Sequence, residues 1–205
     1  MNAASEFLEI LSNVPEDDFL LDIRCPVPGM KPYDTAAIAT DLVPNANEYM
    51  RGGSSIRIVG NDGENVTSDG YPWTKDLMKW VEDGNHIEYL LMNPSKEAVD
   101  KLQEACAESS GQRGSLSVMT IDRDRPVDDE DQKFIDRWRS FHFVTFDHPK
   151  QLWVEGNHPE KSTNAENCAY YPPEAVEQTA LWSVLNRQFE HIRNRYSKTL
   201  ASTEK

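Results

Sequence analysis

Between Ser54 and Asp122 the chain switches its hydrophobic period four times, and this switching narrows the possible folds more than any other feature. "SSIRIVGND" alternates over Ile56, Ile58 and Gly60. "WTKDLMKWVEDGN" then spaces Trp73, Leu77, Trp80 and Val81 along one helical face, with Gly84 as a stop. "HIEYLLMNP" returns to a strand, buried on its Tyr-Leu-Leu side. "SKEAVDKLQEACAE" starts on Ser95 as N-cap and carries Val99, Leu102, Ala105 and Cys106 on one stripe. "GSLSVMTID" alternates again at Leu116, Val118 and Ile121. Side chains repeat every two residues in a strand and every 3.6 in a helix. The segment therefore predicts strand, helix, strand, helix, strand, an α/β arrangement whose crossovers make neighbouring strands parallel.

The flanks extend this pattern. "SEFLEILSNV" has helical spacing that Pro15 ends, and "FLLDIRCPVPG" is a short strand closed by prolines. A helix over 35–42 is expected to stop at Pro44, followed by a short helical turn. "SFHFVTFD" and "QLWVEG" form a hairpin across His148-Pro149-Lys150, and "AYYPP" is a short extended piece. "EAVEQTALWSVLNRQFEHIRNRY" is one long helix with Val176, Ala180, Leu181, Val184, Leu185, Phe189 and Ile192 turned inward. The expected fold class is thus α/β, a mixed sheet with crossover helices on both faces. Residues 1–53 form a segment packing on the main domain, 54–197 are the domain, and 198–205 are a disordered tail.

No run approaches the roughly 18 apolar residues that a spanning helix requires, so no membrane segment is expected. The first residues are acidic where a signal peptide is basic, and the three cysteines are widely spaced without a CxxC pair. Both features point to the cytoplasm. The net charge of −14, from 35 acids against 21 bases, repels phosphate backbones and disfavours non-specific nucleic-acid binding. The acids of "DRDRPVDDEDQKFID" are either solvated surface or a docking face for a basic protein partner.

Three of the five histidines, His142, His148 and His158, fall within "FHFVTFDHPKQLWVEGNHP". His142 faces away from Phe141 and Phe143 on an alternating strand, either as a core histidine or as a ligand-facing imidazole. His158 follows Gly156-Asn157 at a strand end and would face the same cleft. The spacing suits no metal, and no motif calls for a cofactor: the glycines of "GNDGENVTSDG" fit neither a P-loop nor a dinucleotide fingerprint. Arg187, Arg193 and Arg195 with His191 make the main basic concentration, which either complements the helix dipole or contacts an anionic partner.

The order of elements, with "FHFVTFD…LWVEGNHP" after a βαβαβ run and before a terminal helix, resembles one half of the phospholipase D-like fold. That family's motif is His-x-Lys, four residues, Asp, six residues, then Gly-Ser or Gly-Gly, one residue and Asn. Counted from His142, the Gly falls on Gly156, but Val144, Pro149, Asn157 and Pro159 occupy the lysine, aspartate, serine and asparagine positions. The resemblance implies a scaffold whose nucleophile position survives while its charge-stabilising partners do not. It thus implies a binding or regulatory protein without turnover, using His142, Asn157, His158, Lys150, Arg187 and Arg193 to hold a ligand. A rearranged phosphodiesterase with His142 and His158 as nucleophile and acid is the first alternative. An acidic inhibitor of a nucleic-acid-binding protein is the second. Because such enzymes join two halves, the resemblance also implies a homodimer.

Overall fold

The computed structural model describes residues 29, 31–33, 42–67, 73–139, 141–156 and 168–203. Eight strands form one mixed sheet: β1 (Lys31–Tyr33), β2 (Ser55–Gly60), β3 (His86–Leu91), β4 (Ser115–Ile121), β5 (Phe141–Asp147), β6 (Lys150–Gly156), β7 (Cys168–Tyr171) and β8 (Ser197–Ser202). Their spatial order is β1-β7-β6-β5-β2-β3-β4-β8. The pairs β2/β3 and β3/β4 are parallel, and the other neighbours are antiparallel. Among the described residues seven helices accompany them: α1 (Val43–Tyr49), α2 (Glu64–Thr67), α3 (Trp73–Glu82), α4 (Lys96–Glu108), α5 (Asp129–Trp138), α6 (Pro173–Val176) and α7 (Leu181–Tyr196).

The sheet has two apolar faces and both are covered. On one, Ile56, Ile58, Tyr89, Val118, Val144 and Trp153 meet α1 to α4. On the other, Val59, Leu90, Met119, Phe143 and Val154 meet α5, α6 and α7. Right-handed crossovers that step in one direction, β2 to β3 to β4, place α3 and α4 on the same face. The chain then returns through α5 on the opposite face and enters β5 on the other side of β2. All four of the stripe residues Trp73, Leu77, Trp80 and Val81 are buried, each burial stabilising by about 1.5–3 kcal/mol. Ser95 caps α4, its Oγ accepting from the Ala98 N–H at 3.1 Å. On the second face the amino-terminal half of the sheet is charged. Arg57 and Glu88 there interlock with Glu190 and Arg193 of α7, Arg57 Nη2 lying 2.9 Å from Glu190 Oε1.

Three boundaries depart from the sequence reading, and a fourth expectation falls largely outside the described residues. The helix expected over 35–42 lies largely outside the described residues, and Pro44 sits in the first turn of α1. A proline in the first turn gives up an N–H that would have had no intrahelical partner. The segment before residue 54 is also built into the domain, since α1 contributes Val43 and Ala46 to the core and β1 pairs with β7. The long C-terminal helix is two helices: Thr179 Oγ1 accepts from the Leu181 N–H at 3.1 Å and starts α7 afresh, leaving Ala180 exposed. Finally, Ser197–Ser202, read as tail, pairs antiparallel with β4 and tucks Leu200 and Ala201 against the core. No helix among the described residues is long and apolar enough to cross a membrane.

Candidate functional site at the carboxyl edge of the parallel strands

Parallel strands that end together leave a crevice where their following loops diverge, and ligands of open α/β sheets bind there. The loop after β2 is held close to the loop after β3: the N–H groups of Met92, Asn93 and Ser95 donate to the carbonyls of Gly60, Asn61 and Asp62 at 2.9, 2.8 and 3.0 Å. Gly63 permits this approach. Its φ is +82°, and a Cβ there would lie 2.6 Å from that of Ala98, so no other residue fits without displacement.

His142 projects from β5 at this edge, on the face of Val144 and Phe146. Its cross-strand partner is Glu155 of β6, which is buried. Burial holds the imidazole below its usual pKa, partly offset by the charge of Asp62. The ring is therefore neutral at neutral pH, and its buried Nε2 has no hydrogen-bond partner among the described residues. Tyr89 completes the cluster. A Cβ on Gly60 would lie 3.2 Å from the Tyr89 phenol, and burial, with Asp62 and Glu155 adding to it, keeps that phenol protonated. A neutral imidazole, a protonated phenol and two carboxyl groups can exchange hydrogen bonds with a polar ligand. They cannot neutralise a phosphoryl group.

On the other face of the same edge lies a cleft of about 650 Å³ that the sequence reading missed. Arg123, Arg125 and Arg139 line it, together with the amide side chains of Asn61, Asn93 and Gln132. Two of these arginines belong to the run read as an acidic surface. The only sequence signal was their insertion between aspartates at 122 to 125.

No protein-family model and no curated protein matches the chain.

Of the remaining residues expected at the site, the described ones are dispersed. Asn157 and His158 lie outside the described residues. Lys150 stands at the opposite end of β5 and β6, with its ammonium 4.7 Å from the Trp182 ring centroid. Five residues of strand, roughly 17 Å, separate His142 from Asp147 and the turn before Lys150. At that end Asp147 accepts from Ser54 Oγ and the Ser55 N–H, and His148 is exposed. Lys150 therefore does not stand beside His142. Arg193 is committed to Glu88 and Glu190 between sheet and helix, while Arg187 is exposed on α7.

Several of the acids from 122 to 136 have partners, while Asp124, Asp129 and Glu130 are exposed. Asp122 meets Arg125 and Lys198, Asp136 meets Arg139, and Asp131 accepts from His191 and from the Tyr196 hydroxyl. Asp128 caps α5 by accepting from the Asp131 N–H, which with Tyr196 and Arg195 lowers its pKa. Tyr196 is pushed up to about 12 by burial and by these two carboxylates.

Proposed function

We propose that the chain is a non-catalytic binding or regulatory protein on a degenerate phospholipase D-like half. The observation that carries this reading is the charge around His142. A histidine nucleophile attacking phosphorus needs cations on the non-bridging oxygens, and losing one such donor typically costs a factor of about 100 to 1,000 in rate. His142 instead has Glu155 across the strand pair, Asp62 as its electrostatic neighbour and apolar Val144 two residues on. The scaffold part of the reading is supported by element order. β2, α3, β3, α4 and β4 precede the β5–β6 hairpin, and α7 follows it. Binding is supported by the imidazole nitrogen that has no partner among the described residues, at a strand edge suited to ligands.

The test is hydrolysis of bis-p-nitrophenyl phosphate and short nucleic acids by the purified protein, wild type beside His142→Ala. Equal background rates are expected. Turnover that disappears with His142 would make the chain a remodelled phosphodiesterase and overturn the proposal.

A further inference from the structure

We infer that the cleft formed by Arg123, Arg125 and Arg139 binds a small organic phosphate. Three guanidiniums converge on one cleft in a chain whose net charge is −14. The acid that lines it, Asp122, is shared between Arg125 Nε at 3.3 Å and Lys198 Nζ at 3.4 Å. Arg139 is paired at 3.0 Å with Asp136, which does not line the cleft. Arg123 donates to the neutral Asn93 Oδ1 at 2.5 Å, and no ion pair involves it among the described residues. The lining residues therefore carry three positive charges against one negative, in contrast to the chain's net charge.

Geometry and chemistry narrow the ligand further. A planar guanidinium offers paired N–H donors that match phosphate oxygens two at a time, which an ammonium cannot do. The amide side chains of the lining add neutral donors for ester or hydroxyl oxygens. Ile121 and Ile135 form an apolar wall, so part of the ligand is a ring or chain rather than bare anion. The volume falls within the range of small-molecule sites, roughly 300–1,000 Å³, and is ample for a nucleoside monophosphate. The cleft also opens at the carboxyl ends of β2, β3 and β4, where the sheet's topology leaves room for a ligand.

This inference deepens the binding reading but asks nothing of His142. A failed titration would therefore count against the cleft alone, and a positive hydrolysis assay against the non-catalytic reading alone. Calorimetric titration of the full chain with AMP, inorganic pyrophosphate and adenosine tests it. AMP and pyrophosphate are expected to bind, and adenosine at least about tenfold more weakly than AMP. Arg123→Gln should weaken AMP by about tenfold or more, because a charge-assisted pair is lost from an exposed side chain whose replacement leaves the core intact. Arg113→Gln makes the same change of charge on an exposed residue just before β4, at the opposite end of that strand from the cleft, and should leave affinity unchanged. The inference is overturned if neither phosphate binds at about 10 mM, if adenosine binds as well as AMP, or if the two arginine variants behave alike.

Discussion

His142 shows what a single side chain adds to pH behaviour. Its folded pKa lies below the ordinary value because burial disfavours the charged ring. The unfolded chain therefore takes up a proton first as pH falls through about 6.5, and stability drains away below that point while remaining complete above it. Thermal melts of wild type and His142→Phe at about pH 7.5 and about pH 5.5 measure this. The wild type should lose more stability than the variant on acidification. Equal losses would mean that the ring is as easily protonated folded as unfolded. The sequence alternation was enough to assign the face of His142, since period two fixes it relative to Phe143. Its neighbours Asp62 and Tyr89 were not legible, because they reach it from elements 53 to 80 residues earlier in the chain.

Among elements, the docking of α5 against α7 depends on one buried carboxylate. Asp131 accepts from His191 Nε2 at 2.9 Å and from the Tyr196 hydroxyl at 2.6 Å, and lies 3.6 Å from Arg195 Nη1. Asp131→Ala strands the buried Tyr196 hydroxyl on Asp128 alone and should cost about 2–3 kcal/mol, read from denaturant unfolding. A loss under about 0.5 kcal/mol, the range of ordinary surface changes, would show that apolar packing alone fixes the two helices. Legibility varied in the same way at this scale. α3 and α4 were readable because a long apolar stripe has one interpretation. The break between α6 and α7 was not, since "EQTA" keeps helix-forming residues on both sides of a local hydroxyl cap. β8 was hidden because "SKTLAS" presents little apolar alternation; its place is supplied by the open edge of β4. The arginine cleft was hidden because charge counts along a run do not say where each side chain points.

For the molecule as a whole, the decisive pairing is β2 with β5, residues 56–59 against 143–146. It joins the parallel unit β2–β4 to the antiparallel unit β5–β7, and it sits in the middle of the sheet. α7 packs on β5 and β6 on one side of that seam and on β8 at the far edge of the other, so the second face is fully covered only when the two units are joined. Amide hydrogen exchange should therefore give the central residues of β2, β3, β5 and β6 a common protection free energy, equal to that of global unfolding. If β5 and β6 exchange at distinctly lower free energy, the antiparallel unit opens by itself and the seam is not the cooperative centre. Strand alternation predicted both units. It could not predict which strands meet, because the partner of Ile56 is Phe146, 90 residues away.

That separation has a consequence during synthesis. A ribosome adding about 5–20 residues per second takes roughly 5 to 20 seconds to travel from Ile56 to Phe146. Throughout that interval the edge of β2 that faces β5 has no partner, although β3 and β4 are completed on its other side before β5 emerges. The nascent chain thus carries an open apolar strand edge that any second nascent chain could occupy, and yield in a cell should respond to translation speed and chaperone supply more than to the stability of the finished fold.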